Sequence, residues 1–188
     1  MKHLPADAGK VLLPLARQAI GHALGIINMP ESDQPSWLRQ QGASFVTLTK
    51  ANQQCARIGT LEARNALAED VRANAVNAAF NYPGCTPLQP EEFDTIAIEV
   101  AVLSGPEPII AENECEAVAS LRAGTDGVSF RFGCHSSIFL PEAWTHHPTS
   151  ADFLAHLKYR AGLPPDFWDA KIDLRRYTVI SWRESDHG

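Results

Sequence analysis

The chain has 188 residues, 45% hydrophobic and 20% charged, with a formal net charge of −6. That is the balance of an ordinary globular protein, long enough to bury roughly 70% of its unfolded surface without help from a metal or a disulfide. The negative charge and the lack of any Lys/Arg-rich run give no general attraction to nucleic-acid phosphate or an anionic membrane.

The first ten residues lack the charged-then-apolar design of a secretory signal. The apolar run from Val11 to Ile27 is interrupted by Arg17, Gln18 and His22, and it is shorter than the ~20 predominantly apolar residues that span a bilayer. A cytoplasmic location is the expectation. The four cysteines, Cys55, Cys85, Cys115 and Cys134, include no C-x-x-C pair, so reduced thiols are expected rather than a disulfide framework.

Val11, Leu12, Leu15, Ala19, Ala23 and Ile26 recur at helical intervals and predict an amphipathic helix over about 6–26, with Pro14 near its first turns. Residues 28–35 read as a loop from Pro30, Ser32, Asp33 and Pro35. Phe45 to Leu48 predicts a strand, 51–53 a turn, and Cys55 to Ile58 the second arm of a hairpin. Asn65 to Phe80 carries Leu67, Val71, Ala75 and Ala79 on one side and reads as a second long helix. A loop at 81–87 and a short turn at 90–93 lead to a strand over 95–103. There Ile96, Ile98, Val100 and Val102 face one way, and Glu99 lies on the other face. Val128–Phe132 and Ser136–Leu140 predict another hairpin. Ser150 is the expected N-cap of a helix ending near Ala161 and Gly162, and Tyr177 to Arg183 a final strand. Strands and helices do not alternate regularly and nothing repeats, which favours α+β over a doubly wound parallel sheet.

Three sets of residues carry a resemblance. The sequence Gln54, Cys55, Ala56, Arg57, Ile58, Gly59 follows the strand around Phe45. Far downstream come Phe139, Leu140 and Pro141, then Ala161, Gly162, Leu163, Pro164, Asp166 and Trp168. In this order and spacing, from about Leu12 to Glu184, the chain resembles the AMMECR family, the A component of the AmmeMemoRadiSam system. The resemblance implies one domain over 1–188, an α+β fold of mainly antiparallel sheet flanked by helices, in two closely packed lobes. It also implies a crevice lined by 55–59, 82–87 and 134–141. The family's activity is not established, and it is associated with radical-SAM and Memo-like proteins.

The polar residues of the family motifs are rewritten here. The hallmark Leu-Arg-Gly-Cys-Ile-Gly keeps only Ile58 and Gly59, with Arg57 where the family has cysteine and Cys55 two residues earlier. The family's Asp-Pro-Arg-Phe aligns with Tyr82, Pro83, Gly84 and Cys85. Its Arg-Gly before Leu-Pro aligns with Ser136 and Ser137. A retained scaffold with a rewritten site favours a binding or accessory component, with Thr47, Ile58, Gly59, Cys85, His135, Ser136, Ser137, Leu140 and Pro141 as candidate ligand-binding residues. The cofactor is unknown.

The rival is an enzyme. Arg57 stays protonated and cannot be a nucleophile, but it favours a thiolate nearby. Cys55, on the same strand face by alternation, would be that thiol, with His135 as its base and Glu99 a further catalytic candidate. Cys55, Cys85 and Cys134 with His135 also form a soft-metal ligand set in residue type, although the spacing is unlike a zinc knuckle. Set against both is the plain role of free cysteine as a small buried hydrophobe and of Glu99 as one half of an ion pair with Arg57 or Arg131. The sequence has no P-loop, no G-x-G-x-x-G after a strand, no H-E-x-x-H and no G-x-S-x-G.

Overall fold

The computed structural model describes residues 4–28, 34–51 and 53–184. Parts of the expected loop at 28–35 and turn at 51–53, namely 29–33 and 52, lie outside them. The fold is α+β. It divides into one unit drawn from Met1–Ser104 and Ile180–Gly188 and a second from Gly105–Val179.

In the first unit, helix α1 (Gly9–Ala23) is followed by strands β1 (Ser44–Lys50) and β2 (Gln53–Gly59), helix α2 (Leu67–Phe80) and strand β3 (Ala97–Leu103). A last strand, β8 (Val179–Arg183), completes a four-stranded sheet in the order β2-β1-β3-β8. The strand alternation sorts side chains by face. Val46, Leu48, Ala56, Ile98, Val100 and Val102 are buried against Leu12, Ala16 and Ile20 of α1 and Leu67, Val71, Ala75 and Ala78 of α2. Each fully buried aliphatic side chain there contributes about 1.5–3 kcal/mol. Pro14 lies inside α1, as its position in the predicted helix required.

A buried carboxylate ties these elements together. Asp70, in the first turn of α2, accepts hydrogen bonds at Oδ2 from the Ser44 amide (2.8 Å), the Ser44 hydroxyl (2.6 Å) and Asn74 Nδ2 (3.0 Å). Its Oδ1 accepts one from the Thr60 hydroxyl at 2.6 Å. Four donors on one carboxylate satisfy a group that would otherwise be costly to bury.

The second unit holds β4 (Glu107–Pro108), α3 (Glu114–Ser120), the hairpin of β5 (Gly127–Phe132) and β6 (His135–Phe139), α4 (Ser150–Arg160) and β7 (Asp173–Tyr177). Its sheet runs β4-β7-β5-β6. Phe130, Phe153, Leu154, Leu157 and Leu174 form its core, with Trp144 stacked on Phe153 at 4.0 Å between ring centroids. Lys158 is fully buried in α4, and its ammonium meets Glu114 Oε1 at 2.7 Å. Tyr177 donates to the Phe139 carbonyl at 2.6 Å, and burial pushes its phenol pKa up, which keeps it a neutral donor.

Two expectations are corrected here. The N-cap of α4 is Thr149, whose hydroxyl accepts from the Asp152 amide at 3.2 Å, so Ser150 is the first helical residue. The expected final strand from Tyr177 is β8, which begins at Val179; Tyr177 ends a separate strand, β7, in the other sheet, with the break at Thr178. All four tryptophans pack on the two cores.

Candidate functional site

Register decides which polar residues meet on the first sheet. Thr47 of β1 is opposite Arg57 of β2 on one side and opposite Glu99 of β3 on the other. The three therefore form one row on the face away from α1 and α2, with about 10 Å between the outer two backbones from two strand spacings. Thr47 is buried, and Arg57 and Glu99 are partly so. The next row along the same face pairs Gly59, Phe45 and Ala101.

Gly59 is required by a close approach. A Cβ there would lie 2.3 Å from Cγ and Cδ1 of Phe45 and 2.5 Å from the Ser44 carbonyl oxygen. The Phe45 ring lies over the glycine and presents its face to Arg57, whose guanidinium carbon is 5.4 Å from the ring centroid. Such a cation–π contact fixes the direction of a long side chain. The row thus offers an oriented cation, a hydroxyl and a carboxylate, a set suited to a ligand with both acceptor and donor groups.

Cys55 does not share this face by simple alternation. The register shifts between Leu48 and Thr49, with Leu48 opposite Ala56 and Thr49 opposite Gln54. Cys55 is the extra residue of a bulge, where period-two alternation is interrupted. Its sulfur is bonded to that of Cys85, in the loop after α2. This corrects the expectation of four reduced thiols. In this state neither Cys55 nor Cys85 has the thiolate that a nucleophile or a metal ligand needs. Cys115 and Cys134 are the free thiols, both exposed. Among the described residues no group of three or more His, Cys, Asp or Glu side chains is placed to hold a metal.

The remaining candidates collect on the second unit. Cys134 sits at the tip of the β5–β6 turn beside Gly133, whose φ of 57° suits a tight hairpin. His135 Nδ1 is 2.9 Å from the Ala161 carbonyl at the end of α4. A carbonyl only accepts, so Nδ1 carries the proton and a neutral ring keeps Nε2 as an acceptor. Ser137 donates to the Leu157 carbonyl at 2.6 Å, Ser136 is exposed, and Leu140 and Pro141 lead into a short 3-10 helix. Ile58 and Gly59 lie in the first unit with the Arg57 row. His146 is exposed at the end of that 3-10 helix. His147 stacks between Phe139 (5.5 Å) and His156 (4.1 Å), and its pKa is lowered by burial first and then by His156 and His146, with Asp152 opposing.

Sequence reasoning missed Phe45 as part of the site and the whole Asp70 network. A glycine directly after the hairpin motif was the available signal for Phe45, and it becomes informative only once the register is known. Asp70 in a first helical turn reads as ordinary solvent-facing helix chemistry and gave no such signal.

The class defined by this architecture is an α+β protein of two four-stranded, antiparallel sheets, with a bulged β1–β2 hairpin carrying the polar row. The family model for AMMECR1 matches residues 13–182, and the chain belongs to that family. A protein from Methanothermobacter thermautotrophicus is 35% identical over 190 residues, covering 98% of this chain and 99% of its own. One from Sulfurisphaera tokodaii is 35% identical over 196 residues, covering 98% and 85% respectively. The crystal structure of the uncharacterised protein PH0010 from Pyrococcus horikoshii superposes with a TM-score of 0.78 at 30% identity, over 96% of this chain and 93% of that one. Among the described residues no helix is long and apolar enough to cross a membrane.

Proposed function

We propose that this protein is a binding or accessory component, working with radical-SAM and Memo-like proteins, and that the Arg57–Thr47–Glu99 row is its recognition element. The observation that carries this reading is the Cys55–Cys85 bond, because the thiol best placed to act as a nucleophile is engaged. Arginine, where the family hallmark has cysteine, contributes orientation and charge instead of covalent chemistry. The ligand held by the row is a small molecule or modified peptide with an acidic group for Arg57 and a donor for Glu99.

The test is direct binding by biolayer interferometry to the purified radical-SAM and Memo-like proteins of the same genome. Saturable binding that weakens about tenfold in Arg57→Ala, equivalent to about 1.4 kcal/mol, is the expected result. No binding to either partner, or an Arg57→Ala variant that binds unchanged, would sink the proposal.

A further inference from the structure

The bond between Cys55 and Cys85 joins two surface segments of the first unit. β2 is an edge strand of its sheet, and its first residues, Gln53 and Gln54, are exposed. Cys55 is half-buried at the bulge and is followed by the buried Ala56. Cys85 ends a tight turn, closed by its own amide donating to the Tyr82 carbonyl at 3.2 Å. Pro83 and Gly84 occupy the centre of that turn, and Gly84 has a φ of 88°, the arrangement of a type II turn.

The turn is open around Cys85. Pro83, Gly84, Thr86 and Pro87 are exposed, and a Cβ built on Gly84 would have nothing within 4 Å. Among the described residues no backbone hydrogen bond joins 83–87 to β2, so the disulfide itself ties the turn to the strand. The thiol form has a partner in place as well. Cys85 Sγ lies 3.7 Å from the Thr86 carbonyl oxygen, which accepts from a thiol proton once the bond is open.

Opening the bond leaves both segments anchored. Before the turn, Tyr82 packs on the core; after it, Leu88 is buried and its amide donates to the Ala79 carbonyl at 2.9 Å. Lys50, at the end of β1 beside the hairpin tip, pairs with Glu92 of the short 3-10 helix Pro90–Thr95 just beyond the loop. The two sulfurs therefore stay near each other when reduced, and this decides the kind of reductant. A monothiol that attacks one sulfur leaves the other beside the mixed disulfide at high effective concentration, and the original bond closes again. A dithiol escapes this reversal because its own second thiol resolves the mixed disulfide.

The Arg57 row lies on the far side of the bulge from these events. Phe45 to Leu48 pair with Gly59 to Ala56, whereas Thr49 and Lys50 pair with Gln54 and Gln53 toward the hairpin tip. Thr47, Arg57 and Glu99 keep their register whether the bond is closed or open.

We propose that Cys55–Cys85 is a reversible thiol–disulfide exchange site whose substrate is a protein dithiol of the Cys-x-x-Cys type. A thiolate of the dithiol attacks Cys85 Sγ; the Cys55–Cys85 bond breaks as a mixed disulfide forms, and Cys55 leaves as a thiolate that takes up a proton. The second thiolate of the dithiol then attacks its partner sulfur, closing the dithiol's own disulfide and releasing Cys85, which is protonated in turn. Two electrons and two protons pass to this chain, and the reverse sequence closes the bond.

The experiment treats the native protein with reduced thioredoxin in the absence of denaturant, followed by alkylation and peptide mass spectrometry. Alkylated cysteines should rise from two, Cys115 and Cys134, to four, with an unchanged far-UV circular dichroism spectrum. Oxidised glutathione should return the number to two. Reduced glutathione at equal thiol concentration should open the bond about tenfold less or worse. A thioredoxin variant that keeps only its attacking cysteine should be trapped on Cys85. The proposal is overturned if the bond opens only after denaturation, if oxidised glutathione does not restore it, or if glutathione opens it as readily as thioredoxin. A trap on Cys55 refutes the assigned direction of attack. Arg57→Ala should leave the exchange unchanged, and partner binding by the row is measured on the oxidised protein, so the two readings fail separately.

Discussion

Asp70→Ala tests how far the fold of the first unit depends on one buried carboxylate. Asp70 and Asn74 are almost fully buried and Ser44 completely so. Removing the carboxylate leaves Asn74 Nδ2 with the Ser44 carbonyl (3.0 Å) and hydroxyl (3.2 Å) as remaining partners. The Ser44 amide and hydroxyl protons lose their acceptor, whereas the half-buried Thr60 turns to water. Two orphaned buried donors cost about 1–3 kcal/mol each, and the small void adds to this, so the expected loss is about 3–5 kcal/mol. That is a large part of the roughly 5–15 kcal/mol that holds a typical domain. Asp70→Asn keeps one oxygen for the three donors now on Oδ2 and turns its amide toward Thr60. It loses charge assistance only and should cost about 1–2 kcal/mol. Equilibrium urea unfolding followed by far-UV circular dichroism measures both. An alanine variant losing less than about 1 kcal/mol, or an asparagine variant as damaged as alanine, would refute the argument.

Thiol titration of denatured protein should find two thiols before reduction and four after, and reduction should cost about 3–4 kcal/mol for a bond that closes a 30-residue separation. Four thiols in protein purified without oxygen would show that the Cys55–Cys85 bond does not form. Gly59→Ala should destabilise by about 1–3 kcal/mol through its collision with Phe45 and weaken the Phe45–Arg57 contact, and a neutral effect on thermal melting would remove the close-approach account. His147 has a folded pKa below its ordinary value, so the unfolded chain binds more protons. Its contribution is fully present above about pH 6.5 and is lost as pH falls below that value. His147→Asn should therefore flatten the fall in melting temperature between about pH 7.5 and pH 5.5, and an unchanged slope would rule this residue out.

The helices α1 and α2 and the strands β1 and β3 were legible because their apolar residues repeat at intervals near 3.6 or 2, and β2 was legible as the second arm of the hairpin after the turn at 51–53. β7 was not, because Asp173, Arg175 and Arg176 break its apolar pattern, and β4 is too short to have one. α3 carries Glu114 and Glu116 in its first turn and buries only Ala117, which leaves little periodicity to read. Of the site, Arg57, Thr47 and Glu99 were recognisable singly, but their meeting in one row depends on cross-strand register. The bulge at Cys55 is equally invisible in one sequence, since an inserted residue reverses the face assigned to everything beyond it. The Cys55–Cys85 pairing joins residues whose spacing has no signature.

The jump of the chain at Thr178 has a consequence for the order of events during synthesis. A chain emerging N-terminus first releases α1, β1, β2, α2 and β3 long before β8. Its first sheet must wait, one strand short, with the edge of β3 open and Arg17 without Glu184, while the whole second unit emerges. The clasp between Arg17 and Glu184 spans 167 positions, so it forms late and closes the first unit last.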